Sequence, residues 1–373
     1  MRRSQPRRPT SRWGDPRRRR SLLHALPKTD LHVHLDGSLR PGTLLALARE
    51  QGVRLPVRDS TALGRFLGGL TSGVSLPVYL RAFDLTLRVL QEESALERAA
   101  FELAEDSHRE NVRYLEVRYC PALHTKHGLT LPQIVDSVER GLALARDRYG
   151  IITGIIICGI RHLNPRLSVM LADLAVAYQG RGVVGFDLAG AERDYPAKAH
   201  REAFDRVLRA NVNVTVHAGE AFGPQSIRQA LLHCGAHRIG HGTRLREDTG
   251  ILHFVNDHRV PLEMCLTSNV QTRAVSSFED HPFREYFGLG LRVTLNTDNR
   301  LVSGTAMTAE LERAVRTFRL QPEELRHVLI NGFKSAFLPF REKGALLHRV
   351  LPEMDRVLEA CEPAPDEPER DLL

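Results

Sequence analysis

The chain has 373 residues and a formal net charge of +7, from 52 Lys+Arg against 45 Asp+Glu. Hydrophobic residues make up 42% and charged residues 26%, which excludes global disorder and a small disulfide scaffold and leaves ample chain to bury a core. No run of about 18 apolar residues occurs, so no membrane-spanning helix is expected.

The charge sits unevenly. Residues 1–20 hold nine Arg and one Asp, and residues 362–373 hold five acidic groups and one Arg. The body between them, residues 21–361, is close to neutral. The basic balance therefore does not argue for a nucleic-acid partner. The Arg-rich stretch 1–20 is expected to be a disordered tail, as is the acidic stretch 362–373, because neither has the apolar residues to form a core. The arginines are followed only by Ser21–Leu26 before Pro27, too short for the apolar segment of an export signal. Five cysteines, with no Cys-x-x-Cys pair, suit a reducing cytoplasm.

In chain order, short apolar or β-branched runs predict strands at Thr29–Leu35, Val112–Tyr119, Ile151–Cys158, Val183–Leu188, Val212–His217, Arg238–Gly240, Val260–Leu266 and Arg292–Asn296. Most are continuous apolar runs, as expected of strands covered on both faces. Amphipathic stretches such as Leu131–Arg148 and Lys198–Ala210 lie between them. Eight strand–helix units predict an α/β fold of the (β/α)8 TIM-barrel type, with a doubly wound open sheet as the alternative. No G-x-G-x-x-G follows the first strand, so a dinucleotide site is not indicated. The first gap is long. It predicts extra helices after strand one, around Thr43–Gln51, Leu76–Gln91 and Ser94–Arg109, where a lid could sit. Further helices close the C-terminus, so residues 21–361 read as a single domain.

Chemistry in such a barrel belongs at the C-terminal strand ends. The first strand ends in His32-Val33-His34. Residues i and i+2 share a side, so both imidazoles can face one point and suit zinc or another divalent ion. The fifth strand ends in His217 with Glu220 just beyond. The sixth ends in His241 between two glycines, and the eighth in Asp298-Asn299. Any one of these could be a cap or a satisfied core histidine. Their common placement at strand ends points to a metal site.

The segments Lys28–Gly37 (KTDLHVHLDG), Leu115–Tyr119 (LEVRY), Arg161-His162, Phe186–Gly190 (FDLAG), His217–Glu220 (HAGE), Arg238–Gly242 (RIGHG) and Leu295–Asp298 (LNTD) together resemble the adenosine deaminase family of the amidohydrolase superfamily. The resemblance runs from about residue 28 to 300. It implies one zinc ion per subunit held by His32, His34, His217 and Asp298. It implies hydrolytic loss of ammonia from C6 of adenosine or 2′-deoxyadenosine, as in purine salvage. Glu220 matches the proton donor to purine N1, and His241 the residue that orients or deprotonates the attacking water. Gly190 matches the position whose backbone N–H meets N3, Asp36 the contact to the ribose 5′-hydroxyl, and His34 also borders the substrate. Where the family commonly has a second aspartate, facing N7, this chain has Asn299. An amide N–H can donate to N7 without first being protonated. The substitution also leaves open another 6-aminopurine, such as aminodeoxyfutalosine or adenine. An amide or phosphoester hydrolase, or a binding protein on the same scaffold, are the remaining alternatives. The partners implied are a purine nucleoside and water, with no nucleic acid and no membrane. Deaminases acting on nucleic-acid bases commonly pair H-x-E with P-C-x-x-C, and no Cys-x-x-Cys occurs here. Monomer and homodimer are not distinguished.

Overall fold

The computed structural model describes residues 12–361. Eight parallel strands run in sequential order: β1 Lys28–His34, β2 Val112–Tyr119, β3 Ile152–Ile160, β4 Val183–Ala189, β5 Asn213–Ala218, β6 Arg238–His241, β7 Leu262–Met264 and β8 Val293–Leu295. Each pairs in parallel with the next, and helices fill the connections, giving the TIM-barrel-like α/β architecture that the strand pattern predicts.

The closure between β8 and β1 is different from the other seams. It is a single bridge, Val33 to Asp298, with the His34 N–H donating to the Asp298 carbonyl and the Asp298 N–H to the His32 carbonyl, each at 2.8 Å. Lower down, the Asn296 side chain stands in for a strand by accepting the Leu31 N–H at 2.9 Å. The barrel is thus nearly closed.

Strand ends and helix caps follow local chemistry. The helix Leu131–Tyr149 starts in a reciprocal Thr130/Gln133 capping box with Pro132 in its first turn, and stops where Gly150 turns left-handed. Its apolar side packs against the helix Glu93–Arg109 in the long β1–β2 connection. That connection also carries Pro41–Glu50 and Ser60–Thr71. The predicted helix over Leu76–Gln91 is broken. It forms two short helices, Leu76–Tyr79 and Phe83–Leu87, joined by a 3-10 turn, and the Gln91 amide ends the second by donating to the Leu87 and Leu123 carbonyls. The broken segment bends over the C-terminal mouth of the barrel instead of running straight past it.

The N-terminal expectation needs correcting over its last part. The stretch 1–20 was expected to be disordered, yet a helix runs from Pro16 to Ala25. The Asp15 carboxylate caps it by accepting the N–H groups of Arg17 and Arg18, and Pro16 occupies its first position. The Trp13 indole is buried and donates to the Leu320 carbonyl, while Arg18 donates to the Ala360 carbonyl. The arginine run is docked on the C-terminal helices Met307–Phe318 and Phe340–Glu359. Residues 1–11 and the acidic tail 362–373 lie outside the described residues.

The barrel interior is not purely apolar. Glu116, Arg118, Asp187, Arg238 and Glu263 are all buried inside strands. They alternate in charge. Arg238 bonds Glu116 and Glu263, and Arg118 bonds Glu263 at 2.9 Å and Asp187 at 3.0 Å. Burying such charges unpaired would be prohibitive, so each must meet an opposite partner.

Candidate active site

Nine residues stand out in the sequence as site candidates, and eight of them, His34, Asp36, Gly190, His217, Glu220, His241, Asp298 and Asn299, line one cavity of about 1000 Å³ at the C-terminal mouth. The ninth, His32, lies beneath it and is fully buried. Apolar walls come from the bent insertion, with Leu76, Leu80 and Phe83, and from Ile160 at the end of β3.

The ligating atoms of His32, His34, His217 and Asp298 all lie within 4.8 Å of one another. The Nε2 atoms of His34 and His217 face each other at 3.2 Å, and Asp298 Oδ1 is 3.5 Å from the Nε2 atoms of both His32 and His34. His32 Nε2 is buried with no hydrogen-bond partner. Three converging imidazole nitrogens, one of them orphaned, beside a carboxylate fit a divalent cation, which takes lone pairs from all four.

Electrostatics agrees with ligands that carry no proton on the facing atoms. Burial, with the Arg118 charge, pushes the His32 pKa down to about 4, and burial holds His34 well below the usual histidine range. Burial alone would raise Asp298, but the His32 imidazole beside it and the other imidazoles around it keep it well below the carboxylate range. His217 is the exception. Burial opposes its protonation, yet Asp187 beside Nδ1 raises it.

The rear nitrogens are also held. His32 Nδ1 meets Glu263 at 2.8 Å, and His217 Nδ1 meets Asp187 at 3.0 Å. These carboxylates orient the rings and set which nitrogen is free for the metal. Arg118 touches both, so one guanidinium ties two ligand supports together.

Glu220 is buried, and desolvation raises its pKa above the ordinary value, against the opposing influence of His241. Its Oε1 accepts the Thr272 hydroxyl at 3.0 Å, and its Oε2 lies 3.6 Å from His241 Nε2. The loop carrying it is fastened by Glu192, whose carboxylate accepts four consecutive backbone N–H groups from Gly219 to Phe222 at 2.6–3.0 Å. His241 and Asp298 adopt left-handed backbone conformations, φ 64° and 60°, which non-glycine residues rarely accept. Both sit at strand ends, where this turn directs the side chain across the mouth.

Gly190 has φ 92°, and a Cβ there would lie 3.1 Å from Ile160 and 3.2 Å from His162, so only glycine leaves its backbone open to a ligand. Asp36 is buried, and burial pushes its carboxyl up to about 7 against the pull of two backbone N–H groups, with Oδ1 unpartnered. Asn299 donates from Nδ2 to the Tyr79 hydroxyl at 3.1 Å, and that hydroxyl pairs with Ser303 at 2.7 Å. Tyr79 comes from the bent insertion, which is how that segment is pinned to the loop after β8.

Sequence reasoning did not single out Asp187, Glu192, Glu263, Asn269, Thr272, Tyr79 or His281. Glu263 carried a signal, being a lone carboxylate between apolar neighbours in a doubly covered strand. Glu192 and Tyr79 lie in connections and carried none.

The sequence and the fold match known proteins. The adenosine deaminase family model matches residues 27–353. An adenosine deaminase of Mycobacteroides abscessus is 45% identical over 344 residues, covering 87% of this chain and 94% of its own. Adenosine deaminase 1 of Streptomyces coelicolor is 43% identical over 346 residues, 88% of this chain and 87% of its own. Among solved structures, an adenine deaminase from Arthrobacter aurescens superposes with a TM-score of 0.83 at 28% identity, covering 90% of this chain and 99% of its own. An Arabidopsis structure of ADAL complexed with IMP gives 0.80 at 27% identity, covering 90% and 98%. On this match, over most of its length and with its His/His/His/Asp group intact, the chain belongs to the adenosine deaminase family.

Proposed function

We propose that the cavity binds adenosine or 2′-deoxyadenosine and replaces the 6-amino group with oxygen, releasing ammonia. The observation that carries this reading is Glu220, buried and with its pKa raised by desolvation, on the same cavity as the three-histidine, one-aspartate group. A hydrolase of amides needs no proton delivered to a ring nitrogen. A deaminase does, because attack at purine C6 pushes negative charge onto N1.

His32, His34, His217 and Asp298 would hold the metal, and zinc suits the mixed imidazole–carboxylate set. When bound, the ion supplies Lewis acidity that makes a water acidic enough to attack near neutral pH. Glu220, whose pKa desolvation raises, would carry the proton for N1, and the Thr272 hydroxyl fixes the carboxyl's direction by donating to Oε1. His241 contacts the attacking water, and Asp298 accepts a hydrogen bond from it. Gly190 offers its N–H to N3. Asp36, in the same cavity, meets the ribose 5′-hydroxyl and favours a nucleoside over a free base. A cytoplasmic setting belongs to the same reading, supported by five free, buried cysteines.

Metal analysis of the purified protein with ultraviolet assay of adenosine, 2′-deoxyadenosine, adenine and aminodeoxyfutalosine tests this. Zinc without deamination of any of the four would end the proposal. Stripping the ion with a chelator should abolish turnover, and added Zn²⁺ should restore it. Activity that survives complete removal of metal contradicts the assignment of the four ligands.

Asn299 is proposed to donate to N7. Asn299→Ala should lower kcat/KM for adenosine by about 10-fold, the order expected for one lost hydrogen bond to substrate, with zinc retained. An unchanged kcat/KM removes this role.

A further inference from the structure

The direction of every hydrogen bond behind His241 can be traced from one backbone group. The Phe283 N–H lies 3.2 Å from His281 Nδ1. A backbone N–H can only donate, so His281 Nδ1 carries a lone pair. The His281 ring is 3% exposed, and burial pushes its pKa down to about 3, so it is neutral and its single proton is on Nε2. His281 Nε2 lies 3.1 Å from Asn269 Oδ1, which therefore accepts. The amide of Asn269 is thereby oriented, and its Nδ2 lies 3.0 Å from His241 Nδ1. An amide NH₂ also only donates. His241 Nδ1 is left with a lone pair, so the ring proton is on Nε2. That nitrogen faces the cavity side, 3.6 Å from Glu220 Oε2. Asn269 is fully buried, so no solvent competes with this chain of bonds.

We propose that Asn269 and His281 are positioning residues that fix His241 in its Nε2–H form, so that His241 meets the attacking water as a hydrogen-bond donor. In that form Nε2 has no lone pair with which to take a proton. His241 then holds the water oxygen and stabilises charge that develops on it, the service a fixed donor performs best in a site shielded from solvent. The proposal rests on the assignment of His241 to the water, made above.

The test uses the zinc-loaded full chain with ¹⁵N-labelled histidine. The ring nitrogens of His241 are assigned by their loss in His241→Gln, and their shifts report which one is protonated. Wild type is expected to show protonated Nε2 and bare Nδ1. A bare Nε2 in wild type overturns the proposal, and this reading needs no further variant to fold. Asn269→Asp then keeps an acceptor for His281 but puts a second acceptor at His241 Nδ1. It should move the proton to Nδ1 and lower kcat by about 100-fold, as for loss of one fixed donor, with KM and zinc content little changed. An unchanged tautomer with unchanged kcat in that variant also overturns the proposal. A merely structural role would lower stability or zinc content without moving the proton. The wild-type spectrum decides the relay even if no 6-aminopurine is turned over, which separates its failure from failure of the proposed reaction.

Discussion

Glu220→Gln is expected to cut kcat by roughly three orders of magnitude, within the ~10²–10⁴ range for loss of a general acid. The amide keeps the volume and can still bond Thr272 and purine N1. It cannot give up a proton, so the charge pushed onto N1 in the transition state stays uncompensated. Zinc content and KM should change little, because neither the metal ligands nor the cavity walls are touched. The pH profile carries a second signature. Glu220 works in its protonated form, so wild-type activity should be present below its raised pKa and fall as pH rises through it. That alkaline limb should be missing from the residual activity of the Gln variant. A kcat within a few-fold of wild type would show that the proton comes from elsewhere.

Glu263→Ala should be the most damaging change outside the cavity. The carboxylate is fully buried and accepts from Arg118, Arg238, Thr215 and His32 at 2.6–2.9 Å. Its removal leaves two guanidinium groups short of a counter-charge in the barrel interior. Breaking a buried pair in this way costs about 3–5 kcal/mol. His32 also loses the acceptor that orients it, so zinc affinity should fall by about 10–100-fold. Denaturant unfolding of the zinc-loaded protein, with metal affinity measured by competition with a chelator, checks both. A loss of stability below about 1 kcal/mol, the scale of an exposed pair, would mean that the network is solvated and contributes little.

These two residues mark where the sequence was readable and where it was not. The strand ends were legible because periodicity and position each constrain them. His32 and His34 share a side by the two-residue repeat, and His217, His241 and Asp298 each stop an apolar run. Glu263 and Asp187 lie within strands, and their purpose appears only when β1, β2, β4, β5 and β7 are brought side by side around Arg118. The charges themselves were visible, since five ionised groups inside doubly covered strands have to be paired. The N-terminal helix was missed because composition outweighed local signals. Asp15-Pro16 is a helix start, and the arginines after it are good helix formers. The break in Leu76–Gln91 was hidden for a different reason. Its apolar residues serve the cavity as well as the core, so their spacing does not report one helical face.

The incomplete seam between β1 and β8 gives the metal a second significance. Every other seam is a paired strand ladder, but here one bridge, Val33–Asp298, joins the two edges, helped by the Asn296 side chain and by Thr297, whose N–H and hydroxyl donate to the Asp30 carboxylate. Of the four residues proposed to hold the metal, His32 and His34 belong to the first edge and Asp298 to the last. A bound ion is therefore a cross-link over the weakest joint of the cylinder, and its binding energy is also closure energy for the fold. Chelation should loosen this joint before the rest, with amide exchange at Leu31, His34 and Asp298 quickening first. Slow exchange that persists at those amides without metal would show that the joint holds by itself. If the joint does loosen without metal, zinc supply sets how much intact enzyme persists as well as how much is active.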